Sequence, residues 1–153
     1  MIDLMPILPR LLPKAVDWAE RQQAVILSTG IPLTQEQAEI ASAVGVDQPE
    51  KIRIKVVEKL PLPEDPELAE VARQTGLLGP NITGLTLFYG IFICRRDDGN
   101  RNLIAHECRH VYQYEQYRSM SEFLQEYLRQ IITVGYLKAP LEQDACKAAA
   151  IYT

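Results

Sequence analysis

The chain has 153 residues, of which 47% are hydrophobic and 24% are charged, a balance typical of a soluble globular protein. This length suits one domain with its own core, so we expect a single domain over residues 1–153. The net charge of −4, without a long basic stretch, argues against a nucleic-acid partner, because binding phosphates requires a positively charged surface.

The N-terminal segment, residues 1–14, is apolar but does not resemble a secretory signal. Asp3 stands where such a signal carries positive charge, and three prolines interrupt the apolar run. We expect this segment to be a strand or loop packed on the domain. No apolar run in the chain reaches the length of a transmembrane helix.

The first half of the chain, residues 1–80, is predicted to contain three helices and one strand. Trp18 is interpreted as a packing anchor on the first helix, together with apolar residues near one face, namely Val16, Ala19, Val25 and Ile26. Thr34 and Gln37 form a capping box at the start of the second helix. The predicted elements are helices over residues 14–27, 34–44 and 66–75 and a half-buried strand over 51–59.

The second half, residues 81–153, is predicted to contain a strand region followed by helices. Residues 82–94 are rich in aromatic and branched side chains, so they form either a hairpin or one strand bulged around Gly84 or Gly90. Helices are predicted over residues 102–118, 121–137 and 141–151. Because strands and helices segregate along the chain, we predict an α+β fold with a small, mostly antiparallel sheet packed on the helix over 102–118.

The two histidines of the chain are four residues apart, in the run His106-Glu107-Cys108-Arg109-His110. On a helix, residues at this spacing lie on one face, so both imidazoles can bind one zinc ion. Glu107 is then placed to act as a general base on a zinc-activated water. Cys108 should point away from the ligands and be buried. The other cysteines, Cys94 and Cys146, show no CxxC spacing, and reduced cysteines fit a cytoplasmic protein.

A catalytic zinc usually has three protein ligands, and no third histidine exists here, so a carboxylate should complete the site. Glu142 is favoured because it opens a helix just after Pro140, although an acidic residue there also suits the helix dipole. Other carboxylates downstream are open as alternatives, namely Glu126, Glu122 and Asp144.

Residues 103–113 resemble the active-site helix of zincin metallopeptidases, and residues 140–145 resemble the second motif of gluzincins, whose helix-borne Glu completes the zinc site. Residues 82–149 are similar in layout to compact, little-characterised bacterial metallopeptidases of this class. The resemblance implies a minimal zincin-like domain with zinc as cofactor and a peptide or protein substrate. It further implies that His106, His110 and Glu142 bind the metal, that Glu107 is the general base, and that an upstream strand binds the substrate backbone.

Two positions depart from the gluzincin pattern. Thermolysin-like gluzincins have an Asp one turn after the ligand Glu, supporting a zinc-bound His, and this chain has Cys146 there. No further His is available to stabilise an oxyanion, so a Tyr or Arg would have to do so. Tyr136 is the proposed donor, with other candidates in Arg109, Tyr112 and Tyr114.

The segment before the HExxH helix offers a possible contact with substrate. Leu87, Tyr89 and Ile91 are interpreted as part of an edge strand that could pair with an extended peptide. The leading hypothesis is therefore a zinc-dependent peptidase. Two further hypotheses stay open: a zincin-derived metal-binding or interaction module with weak or absent catalysis, and a structural helical protein in which HExxH is accidental.

Overall fold

The structure is a computed structural model that describes residues 3–152. Within that range the chain forms six α-helices and four strands, which confirms the predicted α+β class. The helices are α1 (Leu8–Thr29), α2 (Gln35–Ala43), α3 (Pro66–Thr75), α4 (Arg101–Glu115), α5 (Met120–Val134) and α6 (Pro140–Ala149). The strands are β1 (Ile31–Pro32), β2 (Arg53–Val57), β3 (Gly84–Leu87) and β4 (Gly90–Cys94).

The four strands form one mixed sheet in the order β1-β2-β4-β3. The outer pairs, β1 with β2 and β3 with β4, are antiparallel, whereas the central pair of β2 and β4 is parallel. Strands β3 and β4 form the hairpin that was one of the two predicted alternatives, and Phe88 turns the chain between them with a φ of 58°. The parallel pairing could not be read from the sequence, because it joins segments separated by α3 and β3.

The predicted edge strand of Leu87, Tyr89 and Ile91 is wrong for two of its three residues. Only Leu87 belongs to β3, which forms one edge of the sheet. Tyr89 lies in the turn, and Ile91 lies in the interior strand β4 and is fully buried. The reason is the parallel pairing with β2, which covers the side of β4 that a simple hairpin would leave open.

The N-terminal segment is helical, which corrects the prediction of a strand or loop for residues 1–14; Met1 and Ile2 lie outside the described residues. Helix α1 begins at Leu8, with Pro9 in the first turn, where a backbone N–H has no partner within the helix. Pro13 inside the helix removes one hydrogen bond, at a cost of about 3 kcal/mol. Burial of Leu8 and Leu11 offsets this cost.

The other helices lie close to their predicted positions. The capping box of Thr34 and Gln37 is confirmed at the start of α2. Helix α5 ends at Val134 instead of residue 137, because Gly135 adopts a φ of 83° that terminates it. On α1, Val25 is 43% exposed and does not belong to the buried face, whereas Trp18 is buried as predicted.

Two apolar clusters flank the sheet. Phe92 packs with buried residues of α1, α3 and α5 on one side, and Ile91 and Ile93 pack with α2 and α4 on the other. Helix α4 contacts both β3 and α6, so the HExxH helix lies between the edge of the sheet and the helix that carries Glu142. None of the helices in the described range combines the length and apolarity needed to cross a bilayer.

Candidate metal centre

The three predicted metal ligands come together between α4 and α6. His106 and His110 project from one face of α4, and Glu142 lies in the first turn of α6. Nε2 of His106 is 3.0 Å from Oε1 of Glu142, and Nε2 of His110 is 2.9 Å from Oε2 of Glu142. One ligand atom from each residue lies within 4.8 Å of the other two.

The alternative carboxylates lie elsewhere. Glu126 forms an ion pair with Arg129 on the surface of α5, and Glu122 accepts from the backbone N–H of Arg118 at the start of that helix. Asp144 forms an ion pair with Arg109, with Nε and Oδ2 2.8 Å apart. Among the carboxylates weighed from the sequence, only Glu142 reaches both histidines.

Two residues that the sequence did not predict to take part in the site, Gln113 and Tyr127, each contact a predicted metal ligand. Gln113 Nε2 donates to the carbonyl of Leu141 and to Asp144, so its Oε1 must accept from Nδ1 of His110 at 2.8 Å. Nε2 of His110 is then the atom directed at Glu142. The phenol of Tyr127 donates to Oε2 of Glu142 at 2.7 Å. The position of Gln113, three residues after His110 on α4, was a usable signal, whereas nothing local marked Tyr127.

The two cysteines of interest lie in different environments. Sγ of Cys146 is 3.8 Å from Nδ1 of His106, so this thiol occupies the place at which a supporting group for that imidazole is expected. Cys108 is fully buried on the opposite side of α4, as predicted, and burial raises the pKa of its thiol to about 12. Cys108 therefore contributes to the core and not to the metal centre.

Glu107 is buried against strand β3. The Thr86 hydroxyl donates to Oε1 of Glu107 at 2.7 Å, and it also lies 3.1 Å from the Glu107 carbonyl oxygen. A Cβ atom on Gly84 would lie 2.7 Å from Oε2 of Glu107, so any other residue at this position would force this carboxylate to move. Thr86 and Gly84 are two residues apart in β3 and face α4 together. Neither role was evident from the sequence.

The charges of the centre depend on one another. Burial alone would raise the pKa of Glu142, but the charge of His110 and hydrogen bonds with both imidazoles hold that pKa well below its usual range. Burial likewise opposes protonation of His110, yet attraction to Glu142 raises the pKa of His110 to about 9. A metal that binds neutral imidazole must therefore displace a proton from this residue.

The donor set fits a zinc ion. Two imidazoles and one carboxylate match a catalytic zinc site with three protein ligands. Ligand atoms around a tetrahedral zinc with bonds of about 2.0 Å lie roughly 3.3 Å apart, and each imidazole of this centre is already 2.9–3.0 Å from a Glu142 oxygen. Gln113, Tyr127 and Cys146 orient the three side chains, as outer partners do in zinc proteins.

A cavity of about 90 Å³ lies beside the centre and is lined by Glu107, His110 and Glu142. Tyr136, the predicted oxyanion donor, lines the same cavity, and burial, followed by the charges of Glu142 and Glu107, holds the pKa of its phenol well above the usual range. Tyr136 therefore keeps its proton and can donate it in a hydrogen bond.

The other candidate donors are committed to structural contacts. Arg109 pairs with Asp144 and lies 4.1 Å from the centre of the Tyr112 ring, and neither Arg109 nor Tyr112 lines the cavity. The Tyr114 hydroxyl is buried and directed at the carbonyl of Thr86, 3.4 Å away. Tyr136 is thus the predicted donor with the most direct access to the centre.

Substitution of Gly84 by Ala should disturb Glu107 specifically. The added methyl would meet the Glu107 carboxylate at 2.7 Å, and overpacking of this kind costs about 1–3 kcal/mol. We expect a lower free energy of unfolding in denaturant titration, with zinc binding retained. Gly79→Ala is the control, because its Cβ would lie 3.3 Å from one backbone oxygen only.

A double-mutant cycle separates this contact from a general backbone effect. In a Glu107→Ala background the clashing atoms are gone, so Gly84→Ala should cost little. An equal loss of stability in both backgrounds would show that Gly84 is needed for another reason.

The assembled centre has the groups needed for hydrolysis assisted by a metal: three converging ligands, a separate buried carboxylate and an adjoining cavity. Its residues come from α4, α5, α6 and β3, with most of the contacts running between elements distant in sequence. Comparison of the chain with models of protein families, with curated proteins and with solved structures finds no match.

Proposed function

We propose that the protein is a zinc-dependent hydrolase, and specifically a peptidase. The proposal is carried by one observation: His106, His110 and Glu142 converge, and two of these residues, His110 and Glu142, line the same cavity as Glu107. Zinc bound there would lower the pKa of a coordinated water toward about 7 and polarise the carbonyl of a substrate. An accidental HExxH sequence gives no reason for this convergence.

Glu107 is proposed as the general base. It takes no part in the contacts among His106, His110 and Glu142, so its carboxylate is free to accept a proton from water and to pass it to the leaving nitrogen. The hydrogen bond from Thr86 holds Oε1 in place. Tyr136 donates to the oxyanion that develops on the substrate.

The position of β3 at the edge of the sheet supports a peptide as the substrate. The Cys94 N–H donates to the Thr83 carbonyl at 2.8 Å, so alternate residues of this strand bond to β4. The backbone groups of Gly84 and Thr86 therefore point away from β4. The Thr86 carbonyl there faces the Tyr114 hydroxyl at 3.4 Å, and the other groups lie on the side where an extended peptide could add as a further strand. Both residues flank Glu107, so such a peptide would pass the general base.

The direct test combines metal analysis with a cleavage assay. Purified protein loaded with zinc and dialysed is expected to retain about one zinc per chain, as a three-ligand site predicts. It should cleave members of a peptide library, lose activity with a chelator and regain it when zinc is restored. Protein that holds zinc but cleaves nothing would support a metal-binding module, and protein with no affinity for zinc would refute both.

Removing the hydroxyls of Tyr136 and Tyr127 should have separable effects. Tyr136→Phe removes the proposed oxyanion donor, so kcat should fall by about 100-fold or more with zinc affinity unchanged. Tyr127→Phe removes the hydrogen bond to Glu142, so zinc affinity should fall by about 10- to 100-fold. Steady-state kinetics at saturating zinc and competition with a chromophoric chelator measure the two quantities. Equal turnover by Tyr136→Phe and the unmodified protein would remove Tyr136 from the mechanism.

A further inference from the structure

Gln113 can support His110 in only one of the two orientations of its amide. The side chain is buried, and its Oε1 accepts from Nδ1 of His110 at 2.8 Å. The two ends of a glutamine amide have nearly the same shape, so shape does not decide between the orientations. In the reversed one an N–H would face Nδ1, and the neutral ring would carry its proton on Nε2, the nitrogen that faces Glu142. A ring in that form cannot bind a metal through Nε2.

Two acceptors on the other side of Gln113 decide the orientation. Its Nε2 lies 2.9 Å from the carbonyl of Leu141 and 2.9 Å from Oδ2 of Asp144. A carbonyl and an ionised carboxylate have no proton to donate, so Nε2 must point toward both of them. The reversed amide would place its oxygen against two other oxygens. Of the two acceptors only Asp144 is charged, and hydrogen bonds to charged groups are the stronger ones.

Asp144 is itself held by Arg109. Nε of Arg109 donates to Oδ2 of Asp144 at 2.8 Å and Nη2 donates to Oδ1 at 3.2 Å, a fork that fixes the plane of the carboxylate. Nη1 of the same residue donates to the Val44 carbonyl at the end of α2 at 2.7 Å, and the guanidinium lies over the Tyr112 ring. The contacts therefore run without a break from this guanidinium, through the carboxylate and the amide, to His110.

We infer that Asp144 is a positioning residue for the metal centre and that Arg109 holds it in place. Asp144 fixes the amide of Gln113, so that His110 keeps its proton on Nδ1 and presents Nε2 to the metal. The inference rests on the proposed function for one point only, that the centre binds a metal. Asp144 follows Glu142 by two residues on α6, so one helix supplies a ligand and also the group that orients the support of another ligand.

The first test is made on zinc-free protein near neutral pH. Nδ1 of His110 then faces the amide of Gln113 and Nε2 faces the carboxylate of Glu142, and the ring carries a proton on each nitrogen. Labelling histidine with ¹⁵N makes both protons observable by NMR. The chain has two histidines, so a His106→Gln variant assigns the signals.

The substitution tested is Asp144→Leu, which keeps the branched shape of the side chain and removes the acceptor. Exchange of the Nδ1 proton of His110 with water should become about three- to tenfold faster, the usual effect of one hydrogen bond. Exchange of the Nε2 proton should stay unchanged. If Asp144 only tethered α6 to α4, loosening α6 would also move Glu142, and both protons would exchange faster. Equal acceleration of the two protons, or an unchanged Nδ1 proton, would overturn the inference.

The second test asks whether Asp144 acts through Gln113. Gln113→Met keeps the length of the side chain and removes the amide, so zinc affinity, measured by competition with a chromophoric chelator, should fall by about 10- to 100-fold. Asp144→Leu alone should lower it by about three- to tenfold. In the Gln113→Met background there is no amide to orient, so Asp144→Leu should have no further effect. Losses that multiply would show that Asp144 acts independently of Gln113 and would overturn the inference.

Arg109→Lys keeps the inference testable if Asp144→Leu does not fold. Lysine retains the charge but has no fork to hold both oxygens of Asp144, so the Nδ1 proton of His110 should again exchange faster and the Nε2 proton should not. The matched control is Arg10→Lys, which makes the same change in the ion pair of Arg10 with Glu67 and should alter neither proton. An Arg109→Lys protein with an unchanged Nδ1 proton would contradict the inference.

Failure of this inference can be told apart from failure of the proposed function. The exchange measurements need neither zinc nor turnover. Zinc binding without cleavage would refute the peptidase proposal alone, and absence of zinc binding would refute both. An Asp144→Leu variant with unchanged exchange, in a protein that cleaves peptides, would refute this inference alone.

Discussion

Replacement of Glu107 by Gln is expected to abolish hydrolysis while the protein keeps its zinc. The amide retains the size of the side chain and can still accept the hydrogen bond from Thr86 through Oε1. It cannot accept a proton from water, so kcat should fall by about 100-fold or more, the usual contribution of a general base. Glu107 is not one of the three converging ligands, so the zinc content should stay unchanged.

The matched control is Glu126→Gln, which makes the same chemical change on α5, where Glu126 forms an ion pair with Arg129. Rates measured with zinc content determined on the same samples separate loss of the base from loss of the metal. A Glu107→Gln protein that retains most of its activity would exclude Glu107 as the base. Loss of zinc from that variant would instead identify Glu107 as a ligand.

Replacement of Glu142 by Gln should weaken zinc binding by more than about 100-fold, because losing a group that only supports a ligand already costs about 10- to 100-fold. The substitution removes the single negative charge that contacts both imidazoles. Glu126→Gln again serves as the control, since Glu126 was the alternative ligand and lies away from the histidines. Isothermal titration with zinc measures both variants. Equal affinities for the two variants would remove Glu142 from the site.

The same substitution should change how the stability of the zinc-free protein depends on pH. The folded state raises the pKa of His110 to about 9, above its ordinary value, so the pair with Glu142 stabilises the fold fully below about pH 6.5 and loses its effect as pH rises through about 9. The pKa of Glu142 is lowered in the folded state. The stabilisation that its negative charge provides is therefore present at every pH above the ordinary pKa of a glutamate and is lost only in strong acid.

Glu142→Gln should therefore be most destabilising near about pH 6, where both groups are charged, and least so above about pH 9. Denaturant titrations of the chelator-treated proteins at several pH values give the difference directly. A difference that does not change with pH would show that the carboxylate acts through packing or hydrogen bonding and not through its charge.

The sequence determined those features that depend on neighbouring residues. The spacing of His106 and His110 places both imidazoles on one face of α4, because helix geometry acts over a single turn. The same local rules located the capping box of Thr34 and, to within one residue, the start of α6, which was predicted at residue 141 and lies at Pro140. They were less informative at the N-terminus, where prolines suggested an interrupted segment and the burial of Leu8 and Leu11 favours a helix.

Only the tertiary structure decided which carboxylate meets the histidines, because Glu142, Glu126 and Asp144 are all acidic residues on helices that follow the motif. Glu142 is 36 residues from His106 along the chain, and only the packing of α6 against α4 brings it to 3.0 Å. The parallel pairing of β2 with β4, which places β3 at the sheet edge, depends equally on contacts distant in sequence. Hydrogen-bonding patterns within one helix cannot specify such contacts, since they result from how the apolar faces of separate elements pack together.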